Sequence, residues 1–96
     1  MVVQEQAGAV RQTVQEVRGS LLQAIESQTP IPSPGQQNQV HLMIDLLRAS
    51  CADAETLRRG ETISCILHTL PRYRREGRVN AYESALLRLR RAADAL

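Results

Sequence analysis

Two histidines and two cysteines are the side chains of this 96-residue chain best suited to ligate a metal or form a nucleophile pair. His68 follows Cys65 by three residues, so on a helix the two share one edge, the proximity a thiolate–imidazole pair or a metal site needs. A metal site would need further ligands, and Cys51 and His41 stand in no recognisable ligand spacing. The sequence contains no Gly-rich phosphate loop, no Gly-x-Ser-x-Gly elbow and no paired-carboxylate signature; its acids are scattered, as on a solvated surface. No catalytic residue, metal or cofactor is therefore expected. The cysteines fit no Cys-x-x-Cys pattern and read as reduced thiols, a type often buried.

The second concentration of chemistry is cationic. All twelve basic residues are Arg, a pattern that follows either from a GC-rich genome or from a use for bidentate carboxylate and phosphate contacts. "PRYRREGR" sets Arg72, Arg74, Arg75 and Arg78 around Tyr73, and Arg88, Arg90 and Arg91 follow. Between positions 72 and 91, seven Arg face Glu76 and Glu83, a local charge of +5, while the whole chain carries only +2. Such a patch can meet an acidic protein surface, setting orientation and on-rate. It can also neutralise phosphates in a salt-sensitive way. Against nucleic acid stand the low overall charge and a last helix that offers Ser84 but few of the Asn, Gln, Ser or Thr a recognition helix uses.

What positions these groups is helical throughout. Val3, Ala7, Val10, Val14, Val17, Leu21 and Ala24 repeat at 4, 3, 4, 3, 4 and 3, which predicts a helix over about 3–27. The seam is narrow at first, two residues in seven as in a coiled coil, and broadens at Leu21, Leu22 and Ile25 as on a globular core. Three prolines in "TPIPSPG" then predict a stiff connector over 28–34, with an SH3-type ligand as a remote alternative.

A second helix is expected over about 36–50. Its stripe is Val40, Met43, Ile44, Leu47 and Cys51, and Leu42, Leu46 and Ala49 fall nearly opposite, which places this helix at the centre of the assembly. Asp53 caps a short helix, "AETLRR", ended by a left-handed Gly60. Another helix runs from about Glu61 to Thr69, with Pro71 ending it or starting a further turn closed by Gly77. "NAYE" reads as a capping box with Asn80 as N-cap, followed by the stripe Tyr82, Leu86, Leu89, Ala93 and Leu96. Leu87 lies off that stripe, beside the arginines.

Phe and Trp are absent and Tyr occurs twice, so the core is built of Leu, Val, Ile and Ala, which suits close helix packing. The expected fold is all-α: a single domain over 1–96, a small bundle of about four main helices, the first long and projecting, with a helical core over 36–96. A chain this short has a thin core and often gains stability from a partner. A first helix of about 25 residues spans ~37 Å, against ~22–24 Å for helices of about 15 or 16 residues. The overhang is expected to pack on a second copy in a homodimer. The alternatives are frayed first turns, or third and fourth helices stacked end to end beneath the whole seam.

The interface residues expected from this reasoning are Val3, Val10, Val14, Val17, Leu21, Leu42, Leu46 and Leu87. Arg72, Arg74, Arg75, Arg78, Arg88 and Arg91 would supply partner electrostatics. No apolar run reaches the roughly 18 residues of a membrane span and no signal peptide is evident, so no membrane partner and a cytoplasmic location are expected. The expected function is non-enzymatic: a small dimeric regulator or adaptor binding another protein, such as a transcription factor or other partner complex. The alternative is a DNA- or RNA-binding protein using the same arginines.

Overall fold

The computed structural model describes residues 2–33, 35–50 and 53–96, with side chains in the first helix described from Gly8 onward. Four helices follow in order: α1 (Val2–Glu26), α2 (Gln36–Ala49), α3 (Ala54–Arg75) and α4 (Val79–Asp94), with no strand among the described residues. The all-α expectation is met. Each helix packs on its two neighbours, α1 on α2, α2 on α3, α3 on α4, and α4 back on α1. Contacts run in opposite senses along adjacent helices, Gln37 near His68 and Ile44 near Gly60, as short links between antiparallel helices require.

The core follows the periodicities. Val17, Leu21 and Ala24 of α1 meet Val40, Met43, Ile44 and Leu47 of α2, Ile63, Ile66, Leu67 and Leu70 of α3, and Ala85, Leu89 and Ala93 of α4. With ten of these and neighbouring side chains almost wholly excluded from water, burial at roughly 25 cal/mol per Å² is the main stabilising term. Val17 and Leu21 were expected at an intermolecular interface. They belong instead to this core, at 1% exposure, because they lie level with α2 and α4.

The α1 helix ends without glycine. Gln28 takes the left-handed conformation at φ 57°, Thr29 N–H donates to the Ala24 carbonyl at 3.1 Å, and the Ser27 hydroxyl donates to the Gln23 carbonyl at 2.8 Å. The connector then turns Ile31 into the core at 1% exposure, and its carbonyl accepts from Arg74 Nη2 at 3.3 Å. Pro34 lies outside the described residues.

Three expectations fail in α3 and α4. Gly60 does not end a short helix, and Pro71 does not end the next; both lie inside one 22-residue α3. Gly60 is present for space, since α2 crosses where its side chain would be. Pro71 costs one backbone bond, but Leu67 and Leu70 before it and Tyr73 after it pack on the same core and hold the helix through. Asn80 is not the N-cap of α4. Gly77 at φ 68° closes a Schellman turn, with Arg78 N–H on the Tyr73 carbonyl at 2.9 Å and Gly77 N–H on the Arg74 carbonyl at 3.2 Å. That tight link makes Arg78 the N-cap and puts Asn80 within the first turn. Asp53 does cap α3, accepting from Glu55 N–H.

The placement of α2 at the centre is also corrected. It is one corner of a four-helix ring, touching α1 and α3, and its second apolar face points outward with Leu42 54% exposed, Leu46 half-buried and Ala49 exposed. Cys51 lies outside the described residues.

The long α1 has 25 residues, about 37 Å, and its direct neighbours α2 and α4 have 14 and 16, about 21 and 24 Å. Among described side chains, none before Val17 is buried, and Val10 and Val14 are half-buried against the core edge. The side chains of Val3 and Ala7 lie outside the described set. No described helix is long and apolar enough to cross a membrane.

Candidate functional site

The histidine–cysteine constellation is divided by the fold. Cys65 is exposed and lines a groove between α3 and α4, whereas His68 turns toward α2, its ring 6.2 Å from that of His41 and within 3.1 Å of the Gln37 amide nitrogen. Among the described residues no three His, Cys, Asp or Glu side chains are grouped as a metal site would need.

The arginine-rich link between α3 and α4 is largely engaged with its own fold. Arg72 Nε donates to Glu76 Oε1 at 3.1 Å, and Arg78 approaches the other Glu76 oxygen at 3.9 Å while its guanidinium sits 5.2 Å from the Tyr73 ring centre. Arg74 reaches the Ile31 carbonyl. Of the four arginines expected to face a partner here, only Arg75 makes no such contact among the described residues. The exposed pairs contribute little individually, yet they cut the local positive field that the bare sequence suggests.

Two other surfaces are open. The first is an apolar seam along α1 and α4. Two adjoining hollows of about 330 and 320 Å³ share Ile25, Glu83 and Leu86. Val79 and Tyr82 bound one, and Leu87 and Arg90 the other. The seam exists because α4 is apolar over more of its circumference than its core stripe requires: Leu86 packs on the core edge, whereas Val79 is 62% and Leu87 59% exposed. On α1, Leu22 and Ile25 continue the half-buried line of Val10 and Val14. Leu87 was expected to be open and is; Val79, Ile25 and Leu86 were not singled out. The signal on α4 was the spacing of Val79, Tyr82, Leu86 and Leu87, at i, i+3, i+7 and i+8, which broadens the apolar face beyond one stripe, with Glu83 as its polar interruption.

The second surface is the α3–α4 groove, about 550 Å³, lined by Arg58, Glu61, Thr62, Cys65 and Ile66 from α3 and Arg88 and Arg91 from α4. Arg88 and Arg91 were expected to serve a partner. Arg58 was not, although its spacing of four and seven from Thr62 and Cys65 puts the three on one face. Comparison with protein-family models, curated proteins and solved structures returns no match for this chain, so its functional reading stands on these two surfaces.

Proposed function

We propose that the chain is a non-enzymatic helical adaptor that pairs with a second copy and presents a cationic surface to another protein, such as a transcription factor or other partner complex. The observation that carries this reading is the α1–α4 seam, where Val79 and Leu87 are each more than half exposed beside Ile25 and Leu86. Burying such a strip is favourable at roughly 25 cal/mol per Å² of apolar surface, and a two-fold arrangement would cover both copies with one self-complementary patch. The way α1 outruns α2 and α4 supports the same reading, since Val10 and Val14 lie where α1 loses its own cover.

The nucleic-acid alternative is supported less well, because Arg72, Arg74 and Arg78 are tied to Glu76, Tyr73 and Ile31. Light scattering over a dilution series tests pairing. The expected result is a dimer that Ile25→Glu with Leu87→Glu converts to a monomer of unchanged far-UV helicity. A chain that is monomeric throughout the series overturns self-association.

A further inference from the structure

We propose that the α3–α4 groove is the docking site for an acidic amphipathic helix of a partner protein, held by Arg58, Arg88 and Arg91. The proposal deepens the adaptor reading by naming the partner's chemistry, and it uses the opposite flank of α4 from the pairing seam.

Charge is the first argument. Arg58, Arg88 and Arg91 line one groove, and none forms an ion pair among the described residues. The groove's one acid, Glu61, is drawn to Arg48 of α2 at 3.7 Å. Three guanidiniums on two walls therefore face a common space without a carboxylate of their own. Guanidinium matches carboxylate in a bidentate fork, so the complementary occupant carries acids.

The floor narrows the occupant further. Ile66 is at the base, and beside it stand the short side chains of Thr62 and Cys65, with the Thr62 hydroxyl already donated to the Arg58 carbonyl at 2.9 Å. An apolar base beneath cationic rims fits a segment with one apolar face flanked by acids. Small residues between two antiparallel helices let a third helix settle at the usual 8–10 Å interaxial distance. Arg58 and Cys65 are seven residues apart, about two turns, so acids at i, i+4 and i+7 of an incoming helix stay within the groove's reach. A small ligand would be poorly enclosed in so open a trough. Nucleic acid fits less well: no aromatic ring lines the groove to stack a base, and a phosphate backbone has no use for the apolar floor.

The test uses the intact chain and two labelled amphipathic peptides of about 18 residues. They share a Leu face and differ only in having Glu or Lys on its flanks. Fluorescence anisotropy should show binding of the Glu peptide that weakens with salt, with the Lys peptide roughly tenfold or more weaker. Arg88→Glu with Arg91→Glu should invert that preference, Arg58→Ala should weaken the Glu peptide several-fold, and Arg11→Ala on α1 should leave it unchanged.

Far-UV helicity and a cooperative melt matching the parent chain are required of the double variant, so that inversion reports recognition and not misfolding. Repeating the titration on an Ile25→Glu, Val79→Glu chain, whose new acids lie on the seam, the one on α4 more than two turns from Arg88 and Arg91, separates this site from self-association. Either reading can then fail while the other holds. No binding of the Glu peptide, equal binding of both peptides, or unchanged binding in the double variant overturns the proposal. So does a duplex or single-stranded oligonucleotide that binds more tightly than the Glu peptide and is lost in the same variant, which would assign the groove to nucleic acid.

Discussion

A methyl group placed on Gly60 would stand 3.2 Å from Met43 Cε, with Ile44 Cγ1 at 3.4 Å and Leu47 Cδ1 at 3.7 Å behind it. At Gly60 the side chains of Met43, Ile44 and Leu47 thus lie directly against the α3 backbone, and Met43 is fully buried there.

Glycine costs a helix interior about 1 kcal/mol relative to alanine, but the helix-interior glycines Gly19 and Gly60 should respond differently to replacement. A Cβ on Gly19 meets nothing within 4 Å, so Gly19→Ala should stabilise the fold by about 0.5–1 kcal/mol. In Gly60→Ala the same gain is offset by displacing Met43, leaving a change close to zero. Gly60→Leu should cost about 1–3 kcal/mol or more, as overpacked cores do. Urea unfolding of the three variants checks the order.

How far these features are legible in sequence depends on whether the deciding interaction is local. The periodicities of α1 and α2 gave their core faces, because a side chain's direction on a helix follows from its position, whereas on α4 the stripe found Leu89 and Ala93 but missed the buried Ala85. Asp53 and Gly77 were readable as caps, since capping chemistry involves neighbours in the chain. Gly60 and Pro71 misled for the opposite reason. Each breaks helices by its own propensity, and each is overruled here by packing from α2 or from the core, which one segment cannot reveal. The α1–α4 seam was legible at Val10, Val14 and Leu87 but not at Val79, and Arg58 joins Arg88 and Arg91 only once α3 is one helix lying antiparallel to α4.

Gln36 is the sole buried polar residue among those described, at 6% exposure. Its Oε1 accepts from Ser33 N–H at 2.8 Å, and its Nε2 donates to Ser20 Oγ at 3.2 Å, so it ties the connector to α1. Gln36→Ala should cost about 1–3 kcal/mol by leaving these groups without partners. Ser20→Ala should cost less, as it removes one bond, and the two effects should fall short of additive in a double-mutant cycle read by denaturant unfolding.

Valine and leucine substitutions should divide sharply along α1 and α4. Leu21→Ala and Leu89→Ala empty core positions of 1% and 0% exposure and should each cost about 2–5 kcal/mol. Val10→Ala removes a half-buried side chain and should cost under about 1 kcal/mol of monomer stability. Leu87→Ala should leave the melting temperature of the dilute chain nearly unchanged. Thermal melts at low concentration check this, and an equal loss in all four variants would show that no part of the seam is free.

The Arg74–Ile31 contact makes the connector's order depend on a residue 43 positions away. Ile31 anchors it from inside, at 1% exposure, and Arg74 from outside through one charge-assisted bond of 3.3 Å. Arg74→Ala should therefore cost only about 0.5–1.5 kcal/mol globally. Its effect should be concentrated locally, as faster amide exchange at Gln28, Thr29, Ile31 and Ser33 with α2 and α3 little changed. Ile31→Ala should instead cost about 2–5 kcal/mol and raise exchange throughout the bundle, because it opens the core itself. Hydrogen exchange followed by mass spectrometry distinguishes the two patterns. Uniform acceleration in Arg74→Ala would mean that this arginine supports the bundle rather than the strap across its end.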